Sequence, residues 1–399
     1  MRTRWVSSRA WAVALAAAAL SAGAAMPAGA ATTPGWRITQ TYAADSVLTG
    51  AVATSASDAW AVGLSVPASS SAAVIRQVQA LRRQGTSRAR TEAAAVDATT
   101  LLRHYNGRSW QAVAAPSGID ILETTQPIAA TSGSDAWVAG FEITGNTEAT
   151  KLAHWNGSKW NNVVSLENSY PDAVVAVNAK DYWAFGSENY AGTEVAWHYT
   201  GKKWVTTTIQ DWVADAVVFK GTVWTTGTSE STGDLEIQYL SGTKWVTVQT
   251  PSVGLSSDED LQQDAVTSDG TGKFTVAVEV DNENTGEAVK SLLLEYTGSK
   301  WSTVTIPASD LGTDTVSAVA SDGDGGLWID AINDDDVSAL IHDTKAGKWS
   351  KQAAPAATGD ETTIVSLSWI PGGTSVWGTG LEGPVSQDTA DAAILKYGN

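Results

Sequence analysis

Short apolar runs rich in β-branched residues follow one another along the chain and predict strands. Two examples are 173–177 (Ala-Val-Val-Ala-Val) and 315–319 (Thr-Val-Ser-Ala-Val). Each is too short for a typical helix, and turn residues bound it, a combination that favours strands. Helical periodicity is nearly absent elsewhere. The pattern therefore predicts an all-β chain of short strands joined by turns.

Two tryptophan-centred blocks recur seven times along these runs. The first reads Asp58-Ala59-Trp60-Ala61-Val62-Gly63 and recurs at 135–140, 181–186 and 222–227, with weaker copies around Phe274, Trp328 and 376–380. The second joins an aromatic residue and a glycine turn to a tryptophan, at 104–110, 154–160, 198–204, 239–245, 296–301 and 342–349. Successive copies lie roughly 40–55 residues apart, which is the period of four-stranded propeller blades. The predicted fold is a seven-bladed β-propeller of four-stranded antiparallel blades.

The seventh copy of the second block is split between the two ends of the chain. It begins at 394–399 (Ile-Leu-Lys-Tyr-Gly-Asn), and its missing half stands at 34–39 (Pro-Gly-Trp-Arg-Ile-Thr). An open array of repeats needs atypical capping units at its ends, whereas two half-repeats complete one another. We therefore expect a closed ring in which the N-terminal strand completes the C-terminal blade.

The repeat resembles that of Kelch-type propellers. A strand ends in glycine, an aromatic residue precedes a tryptophan, and proline follows that tryptophan six residues later, as in Trp110 with Pro116 and Trp245 with Pro251. The Kelch glycine doublet is here a single glycine. The repeat motifs are also similar to those of secreted actinobacterial propeller proteins, which have Asp-x-Trp-Ala-Val-Gly and His-Trp-Asn-Gly repeats. Both resemblances imply the fold and carry no general activity.

Composition and the N-terminus predict a secreted protein. Residues 1–31 combine a basic start, an apolar stretch and a small-residue cleavage site, as a secretory signal peptide does. Residues 32–399 then form the propeller, with a basic insertion at 64–100 in the first blade. The net charge is −18 and becomes −21 without the three arginines of residues 1–31, which argues against nucleic acid or an anionic membrane as a partner. No later run is long enough to span a bilayer, and we expect an extracellular monomer.

Several enzyme classes are excluded by residue content. The chain has no cysteine, which a cysteine-linked copper site requires, and no arginine follows Arg108, so the later blades lack a sialidase-like arginine cluster. The four histidines hold equivalent places in the repeat, which puts them on different blades and prevents them from converging on one substrate: they are His104, His154, His198 and His342.

Candidate function lies in the longer loops, which all open on one face that we call the upper face. Tight turns on the opposite, lower face carry basic residues, whereas the upper loops are acidic. Aromatic residues outside the repeat positions stand beside carboxylates and an amide in the upper loops of the third and fourth blades, and they predict a ligand site: Tyr170, Glu188, Asn189, Tyr190, Asp211 and Trp212. Simple loop packing is the alternative.

A second candidate is a ring of aspartates at the starts of the innermost strands. Asp172, Asp215, Asp264 and Asp314 are its members. Oxygen ligands that converge on an axis suit calcium, and the alternative is that each aspartate accepts backbone hydrogen bonds at a strand start.

The function expected from these features is non-catalytic binding of an extracellular glycan or a protein partner through the acidic upper face. Two alternatives stay open. One is a polysaccharide hydrolase or lyase that uses carboxylates or calcium, and the other is a structural protein of the cell envelope.

Overall fold

The computed structural model describes residues 35–42, 46–65, 99–121, 124, 126–144, 147–188, 193–229, 234–270, 272–282, 284–285, 288–333, 335, 337–383 and 391–398. The proposed signal peptide, Asn189, Tyr190 and most of the basic insertion lie outside these residues. The helices of the described residues include none long and apolar enough to cross a membrane.

Seven four-stranded antiparallel sheets form the blades, numbered here in chain order. Blade 1 has β2 (Ser46–Ser55), β3 (Asp58–Ser65), β4 (Thr99–Tyr105) and β5 (Trp110–Val113); blade 2 has β6 (Ile128–Ser132), β7 (Asp135–Thr144), β8 (Thr147–Trp155) and β9 (Trp160–Glu167). Blade 3 has β10 (Ser169–Asn178), β11 (Asp181–Glu188), β12 (Thr193–Tyr199) and β13 (Trp204–Thr208); blade 4 has β14 (Trp212–Phe219), β15 (Thr222–Thr228), β16 (Leu235–Ser241) and β17 (Lys244–Val248). Blade 5 has β18 (Glu259–Ser268), β19 (Phe274–Asn282), β20 (Ala288–Tyr296) and β21 (Trp301–Thr305); blade 6 has β22 (Thr315–Ser321), β23 (Leu327–Ile332), β24 (Ser338–Asp343) and β25 (Trp349–Ala353). Blade 7 joins β26 (Glu361–Trp369), β27 (Val376–Gly383) and β28 (Asp391–Tyr397) to β1 (Trp36–Tyr42), and a short helix, α1 (Ala308–Leu311), precedes β22.

Ring closure occurs as the split repeat predicts. Strand β1 pairs antiparallel with β28, with Trp36 opposite Tyr397 and Tyr42 opposite Ala392. The innermost strands of successive blades contact one another around the ring, and β26 contacts β2. Both chain ends therefore belong to one blade, and the predicted seven-bladed all-β fold is confirmed.

The repeated tryptophans hold neighbouring blades together. The indole of Trp137 in blade 2 meets Trp204 of blade 3 edge to face, with ring centroids 5.0 Å apart. Trp183 meets Trp245 of the next blade at 5.5 Å in the same way. Pairs of this geometry contribute about 0.5–1.5 kcal/mol beyond the area that they bury. The prediction that these residues are architectural is confirmed.

The repeated glycine is required because the innermost strand bulges toward it. The ladder shifts by one residue opposite Gly63, Gly186 and Gly227. A Cβ atom on Gly186 or Gly227 would lie 1.8 Å from a carbonyl oxygen of the innermost strand. Blades 5 and 6 have Val278 and Ala331 at this place in the repeat, so the close approach is not common to every blade.

Candidate functional site

Each blade runs from the innermost strand outward, so its connections alternate between the two faces of the ring. The turns after the first and third strands lie on the lower face. The connections after the second and fourth strands lie on the upper face, which therefore carries the ends of β3, β7 and β11 and the starts of β10 and β14.

The histidines belong to the lower ends of four separate blades, as the sequence predicts. In blade 3, His198 stacks on Trp183 with centroids 3.9 Å apart, and its Nε2 lies 2.8 Å from Oδ1 of Asp181. Equivalent pairs join His104 to Asp58 at 2.7 Å, His154 to Asp135 at 2.6 Å and His342 to Asp322 at 3.0 Å. Blade 5 reverses the charges, since Lys273 and Glu295 form an ion pair at 2.5 Å in the corresponding places.

Two of these histidines, His104 and His342, lower the pKa of their carboxylate partners against the effect of burial. Burial alone would raise the pKa of Asp58, but hydrogen bonds from His104 and Thr54 outweigh burial and leave that pKa below its usual value. Asp322 behaves alike, with a pKa lowered by His342 and two backbone N–H groups against the effect of burial. Each unit lies within its own blade, so its contribution is to stability.

Tyr170 and Glu188 both lie at the upper edge of blade 3. Tyr170 faces Ser187 across the ladder between β10 and β11, and Glu188 faces Ser169. Both side chains are half-buried. The Tyr170 ring lies 6.3 Å from that of Phe141 in blade 2. Because successive residues of a strand point to opposite faces, the ladder places Tyr170 and Glu188 on opposite faces of this sheet. A ligand site that they share therefore stays a prediction.

Asp211 and Trp212 lie at the same height on blade 4. Trp212 opens β14, and its carbonyl oxygen approaches Gly227 as that of Tyr170 approaches Gly186. The two aromatic residues therefore hold the same place in the repeat, at the inner rim of neighbouring blades. In blade 1 this place belongs to Val47, which is 1% exposed, whereas Trp212 is half-buried.

Glu236 is a functional candidate that the sequence analysis missed. It lies opposite Gly227 and next to Val213 in the sheet, and Val213 packs against Phe185 of blade 3. Cross-strand neighbours share a face, so Glu236 points toward blade 3. Burial raises the pKa of Glu236 against a hydrogen bond from Thr247, and the nearby charge of Asp211 raises it further.

Glu194 also points into the boundary between blades 3 and 4. It lies two residues before Ala196, which packs in the same cluster between blades 3 and 4, and it is 5% exposed. Residues two apart on a strand share a face, so Glu194 points toward blade 4. The upper edge of blades 3 and 4 thus has two half-buried aromatic residues on the innermost strands and four carboxylates on or beside the strands: Glu188, Glu194, Asp211 and Glu236.

A second acidic group missed by the sequence analysis lies on blade 7. Glu382 and Asp391 stand directly opposite one another on β27 and β28. Burial raises the pKa of Glu382 against a hydrogen bond from the Ala357 N–H, while the charges of Asp360 and Asp391 raise it further. Glu382 is 7% exposed, which leaves little room for a ligand.

The four aspartates predicted as calcium ligands have different surroundings. Asp172 is fully buried, the Asp215 carboxylate accepts the N–H of Ala216 at 2.8 Å, and Asp314 pairs with Lys351 of the outer strand at 2.8 Å. The side chain of Asp264 lies outside the described residues. Within the described part of the chain no three acidic or histidine side chains are arranged to hold a metal ion. The calcium site therefore stays a prediction.

The missed carboxylates had a sequence signal in the strand alternation. Glu236 and Glu194 stand at the upper ends of third strands, two residues from positions that pack between blades. The faces can be assigned only once the bulge in the innermost strand is located, because one extra residue reverses which side chains face which blade.

Comparisons with known proteins extend this picture to other propellers. No protein-family model and no curated protein matches the chain. The β-propeller domain of the Trilobed protease from Pyrococcus furiosus is similar, with a TM-score of 0.53 and 8% identity over 88% of this chain and 93% of that chain. That domain is described as having an open velcro topology, whereas here β1 pairs with β28.

Two further solved structures belong to other functional classes. An ancestral GH74 enzyme has a TM-score of 0.52 and 12% identity, over 90% of this chain and 48% of that one, so the chain spans about half its length. The SapL1 lectin in complex with alpha methyl fucoside has a TM-score of 0.42 and 14% identity, over 67% of this chain and 94% of the lectin, which is too distant to carry an argument. By its strand topology and by these likenesses the chain is a seven-bladed β-propeller, and at such identities the comparisons show the fold alone.

Proposed function

We propose that this protein is secreted and binds an extracellular glycan at the inner rim of blades 3 and 4. The observation that carries the proposal is the pair of half-buried aromatic residues, Tyr170 and Trp212, in a repeat position that blade 1 fills with a buried valine. Aromatic faces stack against sugar rings, while carboxylates beside them accept hydrogen bonds from hydroxyl groups. Asp211 adjoins Trp212 in the sequence, and Glu188 lies one ladder position from Tyr170 on the opposite face of the sheet.

The charge of the upper face fits a neutral or cationic polyhydroxylated ligand. Upper-face lysines are already engaged: Lys151 pairs with Glu142 at 2.8 Å, Lys351 pairs with Asp314, and Lys290 donates to the Val253 carbonyl. The surrounding acids would repel a strongly anionic polymer. Neutral and amino-bearing glycans are therefore the favoured ligands.

A glycan array tests the proposal directly. The mature protein should retain neutral or amino-bearing glycans, and Tyr170→Ala and Trp212→Ala should each lose most of that signal. Trp369→Ala is the matched control, because Trp369 is a half-buried tryptophan at the lower end of blade 7 whose Nε1 donates to Gly373. Equal retention by all three variants would place binding elsewhere.

Glycan hydrolysis is the second candidate, and Glu236 is the observation that favours it. Two nearby carboxyl groups with different proton affinities are the usual acid and base of glycoside hydrolysis, and burial, with a further contribution from the charge of Asp211, raises the pKa of Glu236. Under this alternative Glu236→Gln abolishes the release of reducing sugar from a retained glycan while retention persists. Absence of any release by the wild-type protein leaves binding as the function.

A further inference from the structure

The lower face carries a ring of basic side chains, one from each of six blades. All lie in the turn between the third and fourth strands, one or two residues before the tryptophan of the outer strand, and all are exposed: Arg108, Lys159, Lys203, Lys244, Lys300 and Lys348. The exposed Lys202 adds a second charge in blade 3.

Four of these turns, in blades 1, 2, 3 and 5, share one geometry, which holds their charges in equivalent places. The N–H of the residue that opens the turn donates to the carbonyl of a residue near its end, as from Asn156 to Lys159 at 3.2 Å, Thr200 to Lys203 at 3.0 Å and Thr297 to Lys300 at 3.2 Å. Each turn contains a glycine with positive φ, for example 90° at Gly157. Because the turns repeat around a ring, the basic side chains leave the protein at similar heights from one face.

The acids at this end of the molecule are engaged internally, whereas the cations are not. Within the part of the chain that the structure describes, none of these basic side chains forms an ion pair. The lower aspartates bond to the histidines of their own blades, and Asp269 accepts the N–H groups of Gly272 and Lys273. Asp324 remains exposed, so the outer rim of this face is predominantly positive.

The negative net charge does not cancel this field. Strands such as β10 have 10 residues, which at ~3.3 Å per residue separates the two faces by about 30 Å. The Debye length at physiological ionic strength is about 8 Å. The charges of the upper-face acids are therefore screened from a partner on the lower face, and the basic ring determines the electrostatic potential at that face.

We propose that the lower face docks on the surface of a lipid bilayer with anionic headgroups. A flat ring of charges contacts a flat surface at every position, whereas a linear polymer meets only the charges along its path. Five of the six positions are lysines, which act as point charges without the bidentate geometry of arginine, and that suits a diffuse array of headgroups. Trp369, half-buried on this face with its N–H bonded to Gly373, is the type of residue enriched at membrane interfaces. This docking is independent of the glycan site.

Vesicle co-sedimentation tests the proposal. At 50 mM salt the mature protein should sediment with vesicles of 70% phosphatidylcholine and 30% phosphatidylglycerol, and should stay in solution with pure phosphatidylcholine or at 500 mM salt. Because each surface charge changes binding by about fivefold, the triple variant Lys203→Gln, Lys244→Gln, Lys300→Gln should bind roughly a hundredfold more weakly. Its melting temperature should match that of the wild type, which shows that the fold persists.

A second triple variant provides the control for total charge. Replacing Arg76, Arg82 and Arg83 of the insertion by glutamine removes the same number of charges from a connection that follows a second strand, and should leave sedimentation unchanged. Equal loss in both triple variants would overturn the role of the ring. The lipid surface would be overturned as the partner if the wild type failed to sediment with the anionic vesicles at 50 mM salt. It would also be overturned if the protein bound soluble polyphosphate but not the vesicles.

Discussion

Replacing Gly227 by alanine tests why the repeat ends in glycine. The new Cβ atom would lie 1.8 Å from the Trp212 carbonyl oxygen and 2.8 Å from its carbon. Both atoms belong to the backbone of the innermost strand, so no side chain can rotate away. The strand must shift by more than ~1 Å, because a non-bonded carbon and oxygen need more than 3 Å.

The expected loss of stability is about 3 kcal/mol. Overpacking a well-ordered interior costs typically ~1–3 kcal/mol, and displacement of backbone rather than a side chain places this change at the upper end. Since the shifted residue is Trp212, the same variant should also lose affinity for any glycan bound at the inner rim. Stability and binding are thus expected to fall together.

Guanidinium denaturation followed by tryptophan fluorescence measures the effect. Gly378→Ala is the matched control, because a Cβ atom there would meet only side-chain atoms at 3.4–3.5 Å. Removing a strand glycine at such a site changes stability by less than about 1 kcal/mol. Equal unfolding midpoints for the two variants would refute the steric explanation of the repeated glycine.

Three further predictions concern charge, ring closure and metal binding. The pKa of Asp322 is lower in the folded protein than in the unfolded chain, so its contribution to stability is present above the unfolded pKa and is lost as pH falls through the folded pKa. Asp322→Asn should therefore be less stable than the wild type by about 1–2 kcal/mol at pH 7. This difference in stability should disappear in acid. Burial raises the pKa of Asp343, which outweighs the opposing charge of Lys273. Asp343→Asn should accordingly be more stable than the wild type at pH 7, again with a gap that closes in acid. Thermal melts at pH 3–7 measure both gaps, and a reversed sign in either variant would contradict the prediction for that residue. A chain that begins at Tyr42 lacks most of β1, including Trp36, whose loss alone costs about 3–5 kcal/mol; it should melt lower and aggregate through the exposed edge of β28, and an unchanged melting curve would disprove closure by β1. If the calcium prediction holds, millimolar calcium raises the melting temperature over that in chelator and Asp215→Asn with Asp264→Asn removes the difference, whereas a melting temperature indifferent to calcium would end that hypothesis.

The fold was predictable because the same residue types recur at the same positions of successive repeats, so that the packing between one pair of blades also occurs between other pairs. A tryptophan that recurs at one place, such as Trp137 or Trp183, must pack against an equivalent neighbour, and two half-repeats at the chain ends can complete only one another. Irregular places were less predictable. In blade 5 a lysine, Lys273, replaces the aspartate of the Asp–His pair and a glutamate, Glu295, replaces the histidine. The sequence around these residues does not predict their pairing, because strand register brings them together.

The sequence analysis proposed a candidate site around Tyr170 and Trp212 and did not include Glu194 or Glu236. Tyr170 and Trp212 stand out because they depart from the repeat, but their equivalence depends on a bulge that the sequence does not mark. Glu236 was missed for the same reason. Asp314 begins an inner strand as predicted, yet it pairs with Lys351, which lies 37 residues away on the outer strand, so position along the chain did not determine its partner.

Isothermal titration of a glycan retained on the array tests the central claim most directly. The mature protein and its Trp369→Ala variant should bind that glycan with the same Kd. Trp212→Ala should bind at least about tenfold more weakly, because loss of a large apolar side chain from a buried contact costs about 1.5–3 kcal/mol. Equal affinities for the Trp212→Ala variant and the wild type would show that the inner rim of blades 3 and 4 does not bind the glycan.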